Sequence, residues 1–386
     1  GAWSGRAYIF FGGPNFDNNP DLNLTWDGKI SQFGTAVSSS GDVNNDGYDD
    51  VIVGACDSNW GGAYIYFGGQ NMDDGSDIQI YSSNMQDNFG WAVSAAGDVN
   101  KDGYDDVIVG ASEFSSNTGY ACIFFGGAQM DNVSDVYLTG EAPNDRFGQS
   151  VSCAGDVNND GYSDVLVGTL IWDQYERYFG KAYLFYGGKS MDNTSDVIFR
   201  GPSKNNDYFG YYLSGAGDLN KDGYDDIVIS ACANHGGGIS GSGSVFVYFG
   251  ANNTDNISDV VFHGINNGES LGRGLSHAGD VNNDGYDDII IGAYHNNVDG
   301  NLAGMAFIAY GGPDMDNVPD VTLHGLGYDD NFGEAVSDAG DLNNDGYKEV
   351  VIHAQGQYTN GAGRIDVYSL TRSSGILNLN VTVGSN

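Results

Sequence analysis

"DVNNDGYDDVIVGA", residues 42–55, joins a loop of alternating oxygen-bearing side chains to a run of β-branched residues. The nine-residue pattern that begins this stretch returns five more times along the 386-residue chain. The first Asp of each copy lies at position 42, 98, 156, 218, 280 or 341, so the steps between copies are 56, 58, 62, 62 and 61 residues. Similarity at a nearly fixed period of this size is typical of stacked supersecondary units.

The first loop carries side-chain oxygens at its positions 1, 3, 5 and 9, which are Asp42, Asn44, Asp46 and Asp50. Gly at position 6 permits a left-handed turn, so the carbonyl of Tyr48 at position 7 can face the same point. Donors that are all oxygen suit a hard cation, and Ca²⁺ fits better than Mg²⁺ or Zn²⁺. The alternative is an Asx-rich turn that only starts a strand. Six repeats of closely spaced like charges, which repel one another without a cation, favour calcium.

The six loops together predict about six calcium ions. The predicted ligands are Asp42, Asn44, Asp46, Tyr48, Asp50, Asp98, Asn100, Asp102, Tyr104, Asp106, Asp156, Asn158, Asp160, Tyr162, Asp164, Asp218, Asn220, Asp222, Tyr224, Asp226, Asp280, Asn282, Asp284, Tyr286, Asp288, Asp341, Asn343, Asp345, Tyr347 and Glu349. Glu349 is longer than the Asp found at position 9 elsewhere, which predicts a looser sixth site or one that reaches its ion through water. Alternation turns the acids at position 8 (Asp49, Asp105, Asp225 and Asp287) away from the ion, and we expect them to form a solvated negative face.

The loop lacks the bidentate Glu at position 12 and the flanking helices of an EF-hand. A β-branched run, 51–53 in the first copy, follows instead and predicts a buried strand. Each repeat begins with Phe-Gly, or with Leu271-Gly272 in one case, at the start of a first strand. The loop, a second, a third and a fourth strand follow. Four strands per repeat predict the blade of an all-β propeller, and the 61 glycines suit turn-dense β structure.

These motifs resemble the FG-GAP repeat of the integrin α-subunit propeller over essentially the whole chain. The matching parts are the Phe-Gly, the D-x-N-x-D-G-x-x-D loop and the "VGA" or "IGA" that closes the second strand. The chain departs from the pattern at Leu271, at Glu349, and in "ISACA" and "VIHAQ". The resemblance implies an adhesion or protein-binding module that is not an enzyme.

The start of the chain bears on the number of blades. Gly1-Ala2 align with the Gly54-Ala55 that close the second strand of a later repeat, and seven third strands accompany six loops. We therefore predict a seven-bladed propeller in one domain, 1–386, in which 1–30 supply only the outer half of a blade and 31–386 form six full repeats. The chain would then be part of a longer protein. A six-bladed ring, closed by combining 1–26 with the last repeat, is the alternative.

Charge and hydropathy limit the classes of binding partner and the cellular location that the sequence allows. Lys and Arg number 14 against 52 Asp and Glu, a net charge of −38, which argues against nucleic acid and anionic membrane surfaces as partners. No apolar run is long enough to span a bilayer. Loops of this kind in extracellular modules bind calcium at roughly 10⁻⁴–10⁻³ M, so we expect an extracellular or cell-surface location.

Sequons and cysteines add two smaller expectations. Six N-x-[ST] sequons are compatible with glycosylation, at Asn23, Asn132, Asn193, Asn252, Asn256 and Asn380. The four cysteines, Cys56, Cys122, Cys153 and Cys232, are predicted to be buried free thiols.

A ligand would bind at the end of the blades opposite the calcium loops. Connections between second and third strands emerge at that end. The longest and most aromatic of these connections is 169–181. The candidate contact residues are Trp172, Tyr175, Arg177 and Tyr178, with Trp60, Phe114 and Arg146 nearby. Exposed aromatic rings beside an Arg are the usual anchors of protein interfaces. Alternatively, these rings pack the insertion onto its own blade.

Two other functions stay open beside protein binding: a carbohydrate-binding propeller and a polysaccharide-active enzyme. The six histidines show no H-x-x-x-H spacing and the serines no G-x-S-x-G elbow. A propeller can still assemble a site from distant loops.

Overall fold

The structure is a computed structural model that describes residues 5–13, 16–25, 32–56, 61–84, 86–172, 177–202, 207–234, 236–296, 302–356, 363–371 and 375–381. The fold is an all-β propeller with six blades, each a four-stranded antiparallel sheet in which consecutive strands pair. The four strands of a blade follow one another as the sequence predicts. In the described residues helical structure is limited to the turns Phe114–Asn117 (α1) and Gly236–Gly238.

Three blades and two short hairpins form one compact unit, Gly1–Ile9 with Pro20–Arg200. The hairpins are β1 (Ala7–Ile9) with β2 (Leu22–Leu24), and β13 (Ile171–Trp172) with β14 (Tyr178–Phe179). The blades are β3 (Phe33–Gly41), β4 (Asp50–Ala55), β5 (Gly62–Tyr66) and β6 (Ile78–Tyr81); β7 (Phe89–Gly97), β8 (Asp106–Ala111), β9 (Tyr120–Phe124) and β10 (Val136–Thr139); and β11 (Ser150–Gly155), β12 (Asp164–Gly168), β15 (Lys181–Phe185) and β16 (Val197–Arg200).

The other three blades belong to a second compact unit, Phe10–Asn19 with Gly201–Asn386. They are β17 (Phe209–Gly217), β18 (Asp226–Ala231), β19 (Ser244–Tyr248) and β20 (Val260–His263); β21 (Leu275–Gly279), β22 (Asp288–Ala293), β23 (Met305–Ala309) and β24 (Val321–His324); and β25 (Val336–Gly340), β26 (Glu349–Ala354), β27 (Arg364–Thr371) and β28 (Gly375–Val381). We number the blades 1 to 6 in chain order. The prediction of a single domain stays a prediction.

Sequence pattern follows depth within each blade. The second and third strands read as nearly unbroken apolar runs because neighbouring blades cover both of their faces, as in β8 and β9, whose residues are all buried. First strands are less buried, as in β3, where only Phe33 and Ser40 are buried and the other seven residues are partly or fully exposed. Apolar side chains of adjacent blades form joint clusters: Ile52 and Ile65 of blade 1 share one with Val107 and Val109 of blade 2. This burial between blades is the main source of stability.

The register places two chemically different ends on each blade. In blade 1, Gly41 pairs with Asp50 and Phe33 pairs with Ala55, so the loop 42–49 and the Phe-Gly lie at opposite ends of the β3–β4 pair. A register shift between Ser39 and Gly41 marks a bulge just before the loop. We call these ends the loop end and the Phe-Gly end.

The prediction of seven blades is not supported, because the described residues contain six four-stranded sheets. The residues assigned to the first, partial blade form only the two-stranded sheet β1–β2. That hairpin nevertheless packs as the outer strands of a blade do. A Cβ built on Gly5 would strike the backbone of Phe33, just as one on Gly61 would strike Phe89.

No helix in the described part of the chain has the length and apolarity needed to cross a membrane.

Candidate functional site

The loop end of every blade is organised by the carboxylate at position 1. In blade 1, Asp42 Oδ1 accepts the backbone N–H of Asp46 at 3.0 Å and Oδ2 accepts that of Gly47 at 2.8 Å. All six loops repeat this pair of bonds, with donor–acceptor distances between 2.8 and 3.0 Å. The predicted position-1 and position-5 ligands are therefore brought together by the backbone between them.

Two left-handed residues close each turn, one more than the sequence predicts. Gly47 at position 6 has φ +91°, and Asn45 at position 4 has φ +55°. The other five loops match: Lys101, Asn159, Lys221, Asn283 and Asn344 also have positive φ. Asn tolerates the left-handed region better than most residues, which suits four of the six loops, whereas Lys bears the strain in the other two.

The position-9 carboxylate is buried at the base of the loop. Asp50 is 1% exposed; its Oδ2 accepts Val43 N–H at 3.0 Å and its Oδ1 accepts Gly68 N–H at 2.7 Å. The same two bonds recur at Asp106, Asp164, Asp226 and Asp288. Position 9 therefore ties the loop to the end of the third strand, in addition to any role toward a cation.

Burial makes these position-9 acids costly to ionise. It raises the pKa of Asp106 to about 7 and that of Asp226 to about 8, although the two amide bonds to each oppose the shift. The acids at positions 1 and 5 raise both pKa values further. A cation beside these carboxylates would remove the electrostatic penalty.

The sixth loop shows how the donor set fits a cation. Glu349 is fully buried, with Oε2 accepting Leu342 N–H at 2.8 Å and Oε1 accepting the Asn343 side-chain amide at 3.0 Å. Asn343 Oδ1 is buried, and no donor of the described residues reaches it. A buried, unpartnered carbonyl oxygen at a predicted ligand position is the group that a hard cation would satisfy.

The loops are nevertheless not rigid metal cages. Among the described residues no three Asp, Glu, His or Cys side chains converge tightly enough to hold a metal by themselves. Asn44 Nδ2, for example, donates to Asp46 Oδ2 at 3.1 Å. The carboxylate oxygens retain further lone pairs beyond their amide bonds, so the donor chemistry fits calcium once Asn oxygens and the position-7 carbonyl join them.

The expectation that the position-8 acids form a solvated face is wrong for two of them. Asp105 Oδ2 accepts the backbone N–H of Asp42 at 2.9 Å, and Asp287 Oδ2 accepts that of Asp218 at 3.1 Å. Each carboxylate thus contacts the loop of the preceding blade. Asp49, in contrast, is exposed, whereas Asp225 is half-buried.

The Phe-Gly end carries buried acids that the sequence analysis missed. An acid stands two residues before the Phe-Gly, or Leu-Gly, of five blades, and each is at most 5% exposed: Asp87, Asp145, Asp207, Glu269 and Asp330. The signal D-x-F-G, or E-x-L-G at 269–272, is visible in the sequence. We call these residues the Phe-Gly acids.

Protein groups satisfy the Phe-Gly acids. Asp87 accepts the Tyr120 hydroxyl at 2.7 Å, the Ser82 hydroxyl and the Phe89 amide. Asp330 accepts both terminal nitrogens of Arg364, at 3.1 and 2.7 Å.

Amide donors satisfy two others. Glu269 accepts two backbone amides and the Asn296 side chain, and Asp145 accepts the amides of Glu141 and Ala142.

The described part of the 169–181 insertion, which includes the candidate contact residues Arg177 and Tyr178, lies at this Phe-Gly end. Leu170 N–H donates to the Asp145 carbonyl at 3.1 Å, so a Phe-Gly acid anchors the insertion. In the β13–β14 hairpin, Trp172 pairs with Tyr178. Tyr178, Arg177 and Arg146 are half-buried. The Trp172 side chain, Tyr175 and Trp60 lie outside what the structure describes, so the predicted exposure of the aromatic rings stays a prediction.

The smaller expectations have mixed outcomes. None of the four cysteines forms a disulfide in the described residues: Cys56, Cys122 and Cys232 are buried thiols as predicted, and Cys153 is only half-buried. Five sequon residues are exposed: Asn23, Asn132, Asn193, Asn252 and Asn256. Asn132 Nδ2 donates to the carbonyl of Gln79 in blade 1 at 3.2 Å. The side chain of Asn380 lies outside the described residues.

Comparison with known proteins agrees with this geometry. The FG-GAP repeat model matches residues 33–66, 89–123, 147–185 and 272–307. The chain is 32% identical to integrin alpha-5 of Xenopus laevis over 160 residues, 29% to integrin alpha-PS5 of Drosophila melanogaster over 189, and 30% to integrin alpha-6 of Homo sapiens over 177. These matches cover 39, 46 and 45% of this chain, but only 15, 18 and 14% of the relatives.

Fold, repeats and relatives define the class of protein. The chain is an all-β propeller in which parts of four of the six described blades match the FG-GAP repeat model, and it is similar to integrin α-subunits.

Proposed function

We propose that this propeller is a calcium-stabilised protein-binding module that functions in adhesion at the cell surface or outside the cell. One observation carries the proposal: the chain places the same oxygen-lined loop on all six blades. The similarity to integrin α-subunits supports the binding role, because those relatives are adhesion receptors. The same similarity supports the reading that the chain is not an enzyme.

Calcium would bind at the loop ends, about six ions in all, to the thirty ligands named above. The position-1 and position-5 carboxylates, the Asn oxygen and the position-7 carbonyl would face the ion, and the position-9 acid would complete the set. The ion would stabilise hairpins that lack any disulfide, and so hold the blades in register.

A protein partner would bind at the Phe-Gly end. The insertion 169–181 supports this choice, because it is a separate hairpin mounted on a rigid blade through the Asp145 carbonyl. Arg177 and Tyr178 supply a guanidinium and an aromatic ring, the side chains most enriched in binding hot spots. We include Trp172, Tyr175, Trp60 and Arg146 in the same site.

Two further points belong to the proposal. The exposed sequons would carry glycans in an extracellular location. The hairpin β1–β2 would represent the outer half of a further blade, which the packing of Gly5 on Phe33 supports. The residues that follow β1 support the same interpretation. Gly127 and Gly312, which follow the third strands of blades 2 and 5, donate to the carbonyls of Val43 and Leu219 in the loops of the preceding blades, and Gly13 donates in the same way to the Leu342 carbonyl at 2.6 Å.

The test measures adhesion of cells to the immobilised protein in calcium and in chelator. We expect calcium-dependent attachment that Arg177→Ala with Tyr178→Ala reduces by at least about ten-fold, as loss of an interface anchor does. The matched control is Tyr48→Ala, at an exposed loop-end tyrosine whose carbonyl, and not its ring, is the predicted ligand.

Three outcomes would redirect the proposal. Attachment lost equally in both variants would place the contact elsewhere. Binding to arrayed glycans without cells would favour the carbohydrate-binding alternative. Release of products from an acidic polysaccharide would favour an enzyme.

A further inference from the structure

Neighbouring loops are joined by more than the packing of their blades. Asp42, the position-1 residue of loop 1, makes two backbone bonds to Asp105, the position-8 residue of loop 2. Its N–H donates to Asp105 Oδ2 at 2.9 Å, and its carbonyl accepts Asp105 N–H at 3.3 Å. Asn45 of loop 1 adds a bond from Nδ2 to the Gly103 carbonyl of loop 2 at 3.1 Å. Asp105 therefore clamps a predicted ligand of one loop and directly precedes Asp106, a predicted ligand of the next.

Loops 4 and 5 repeat this arrangement in the second unit. Asp218 N–H donates to Asp287 Oδ2 at 3.1 Å, and the Asp218 carbonyl accepts Asp287 N–H at 3.4 Å. A glycine precedes the position-1 residue of all six loops, and in these two pairs a Cβ on Gly41 or Gly217 would strike the carboxylate of Asp105 or Asp287. The space for the clamp is thus built into the preceding strand.

The links from loop 2 to 3 and from loop 5 to 6 lack the carboxylate. Ser163 occupies position 8 of loop 3, and only its backbone N–H bonds to Asp98, at 3.2 Å to the carbonyl. Lys348 occupies position 8 of loop 6 and lies along Gly279, so this link keeps the bond from Asn283 Nδ2 to the Gly346 carbonyl, at 3.1 Å, but has no carboxylate. Within each unit the chain therefore holds one clamped pair of loops and one unclamped pair.

We propose that Asp105 and Asp287 are positioning residues that couple the cation sites of loops 1 and 2, and of loops 4 and 5, so that each pair fills together. A cation in loop 1 fixes Asp42, and the two bonds from Asp42 then fix Asp105 and the adjoining base of loop 2. The second cation meets a loop that is already ordered, and it bears less of the entropic cost of binding. Ser163 transmits no such restraint through its side chain. This inference rests on the proposed calcium binding.

The test follows backbone hydrogen exchange of loops 1, 2 and 3 in the full chain. Calcium alone is the probe. During a calcium titration of the unaltered protein we expect loops 1 and 2 to gain protection at the same concentration, and loop 3 at a separate one. Asp46→Ala, which removes a loop 1 ligand, should speed exchange in loop 2 by about five-fold or more in calcium, the lower range of allosteric coupling.

Matched variants separate coupling from general destabilisation. Asp102→Ala removes the equivalent ligand of loop 2 and should leave exchange in loop 3 within about two-fold, because Ser163 forms that link. In an Asp105→Ala background, Asp46→Ala should no longer affect loop 2, whereas Asp105→Asn keeps an oxygen acceptor for Asp42 N–H and should preserve part of the effect.

The outcomes distinguish the two proposals. If calcium changes exchange in none of the loops, the proposed calcium binding itself fails. If calcium protects each loop but loops 1 and 2 respond at different concentrations, or loop 3 responds to Asp102→Ala as loop 2 does to Asp46→Ala, the coupling is overturned and calcium binding stands.

Discussion

In the five blades that carry a Phe-Gly acid, the Phe-Gly end and the loop end treat buried negative charge differently. At the Phe-Gly end, protein donors satisfy the acids: Asp330 binds Arg364 through two bonds, and Asp87 accepts two hydroxyls and an amide. At the loop end, backbone amides are the main donors, and three or four acids of one sign share nine residues. Backbone amides carry no net charge, so the repulsion among the loop acids persists until a cation arrives.

The difference suggests a division of labour. At the Phe-Gly end the donors that satisfy the acids belong to the protein itself. That end therefore needs no ion to hold the proposed binding loops in place. At the loop end the repulsion among the acids stays uncompensated by protein charges, so the proposed calcium binding would make the stability of the blades depend on calcium concentration.

Removing calcium should have the largest effect, and it should act on one end only. A site that is 100-fold saturated contributes about 2.7 kcal/mol to the free energy of unfolding, so loss of six ions should lower Tm by at least about 10 °C. Calorimetry with and without chelator measures this. Hydrogen exchange should show loop-end amides opening before those of the Phe-Gly end. An unchanged Tm in excess chelator would contradict the comparison.

Arg364→Met should be the most damaging single change at the Phe-Gly end. It leaves the buried carboxylates of Asp330 and Asp366 without their cation, which costs about 3–5 kcal/mol. Denaturant unfolding should give this loss equally in calcium and in chelator. Asp330→Asn added to Arg364→Met should restore part of it, and a loss confined to calcium-containing buffer would show that the two ends are not independent.

Asp102→Ala should show the opposite dependence on calcium. In calcium it should cost about 1–3 kcal/mol of unfolding free energy, because one ion site is lost. In chelator it should cost almost nothing, since it removes one of several mutually repelling charges. Asp49→Ala, at an exposed position 8, is the control and should stay within about 0.5 kcal/mol in both buffers. Equal costs for Asp102→Ala in both buffers would mean that the loop is only a turn.

Tyr120→Phe should have the smallest effect, and it sharpens the account of the Phe-Gly end. It removes one hydrogen bond to Asp87 while the ring stays packed, so we expect a loss of about 1 kcal/mol that calcium does not change. Asp87→Ala should cost more, because it leaves the Ser82 and Tyr120 hydroxyls with poorer partners. A cost for Tyr120→Phe as large as that for Asp87→Ala would make the tyrosine the dominant partner.

Much of the fold could be predicted from the sequence because the determining signals are local. The loop pattern, the β-branched run behind it and the Phe-Gly ahead of it fall within about one blade. Those signals correctly predicted four strands per blade and a hairpin turn at each loop. Counting blades was less secure, since 1–30 contain outer-strand patterns without a loop, and the structure shows only a two-stranded sheet there.

The errors at position 8 and at the Phe-Gly end have one physical cause. Alternation along a single loop places Asp105 away from the predicted ion of that loop, but it says nothing of a donor 63 residues earlier in the chain. The partner of Asp330, Arg364, is likewise 34 residues away, on the third strand of the same blade. Donors of this kind exist only after strands have paired and blades have packed.

The sequence by itself therefore determined the chemistry of each repeat: which residues offer oxygens, which glycines turn, and which runs become strands. Only the tertiary structure decided which carboxylate turns back on its own loop, which bridges to the preceding blade and which is neutralised inside its own blade. Side-chain type and spacing act over a few residues, whereas the environment of a charge is set by whatever packing brings within about 4 Å of it.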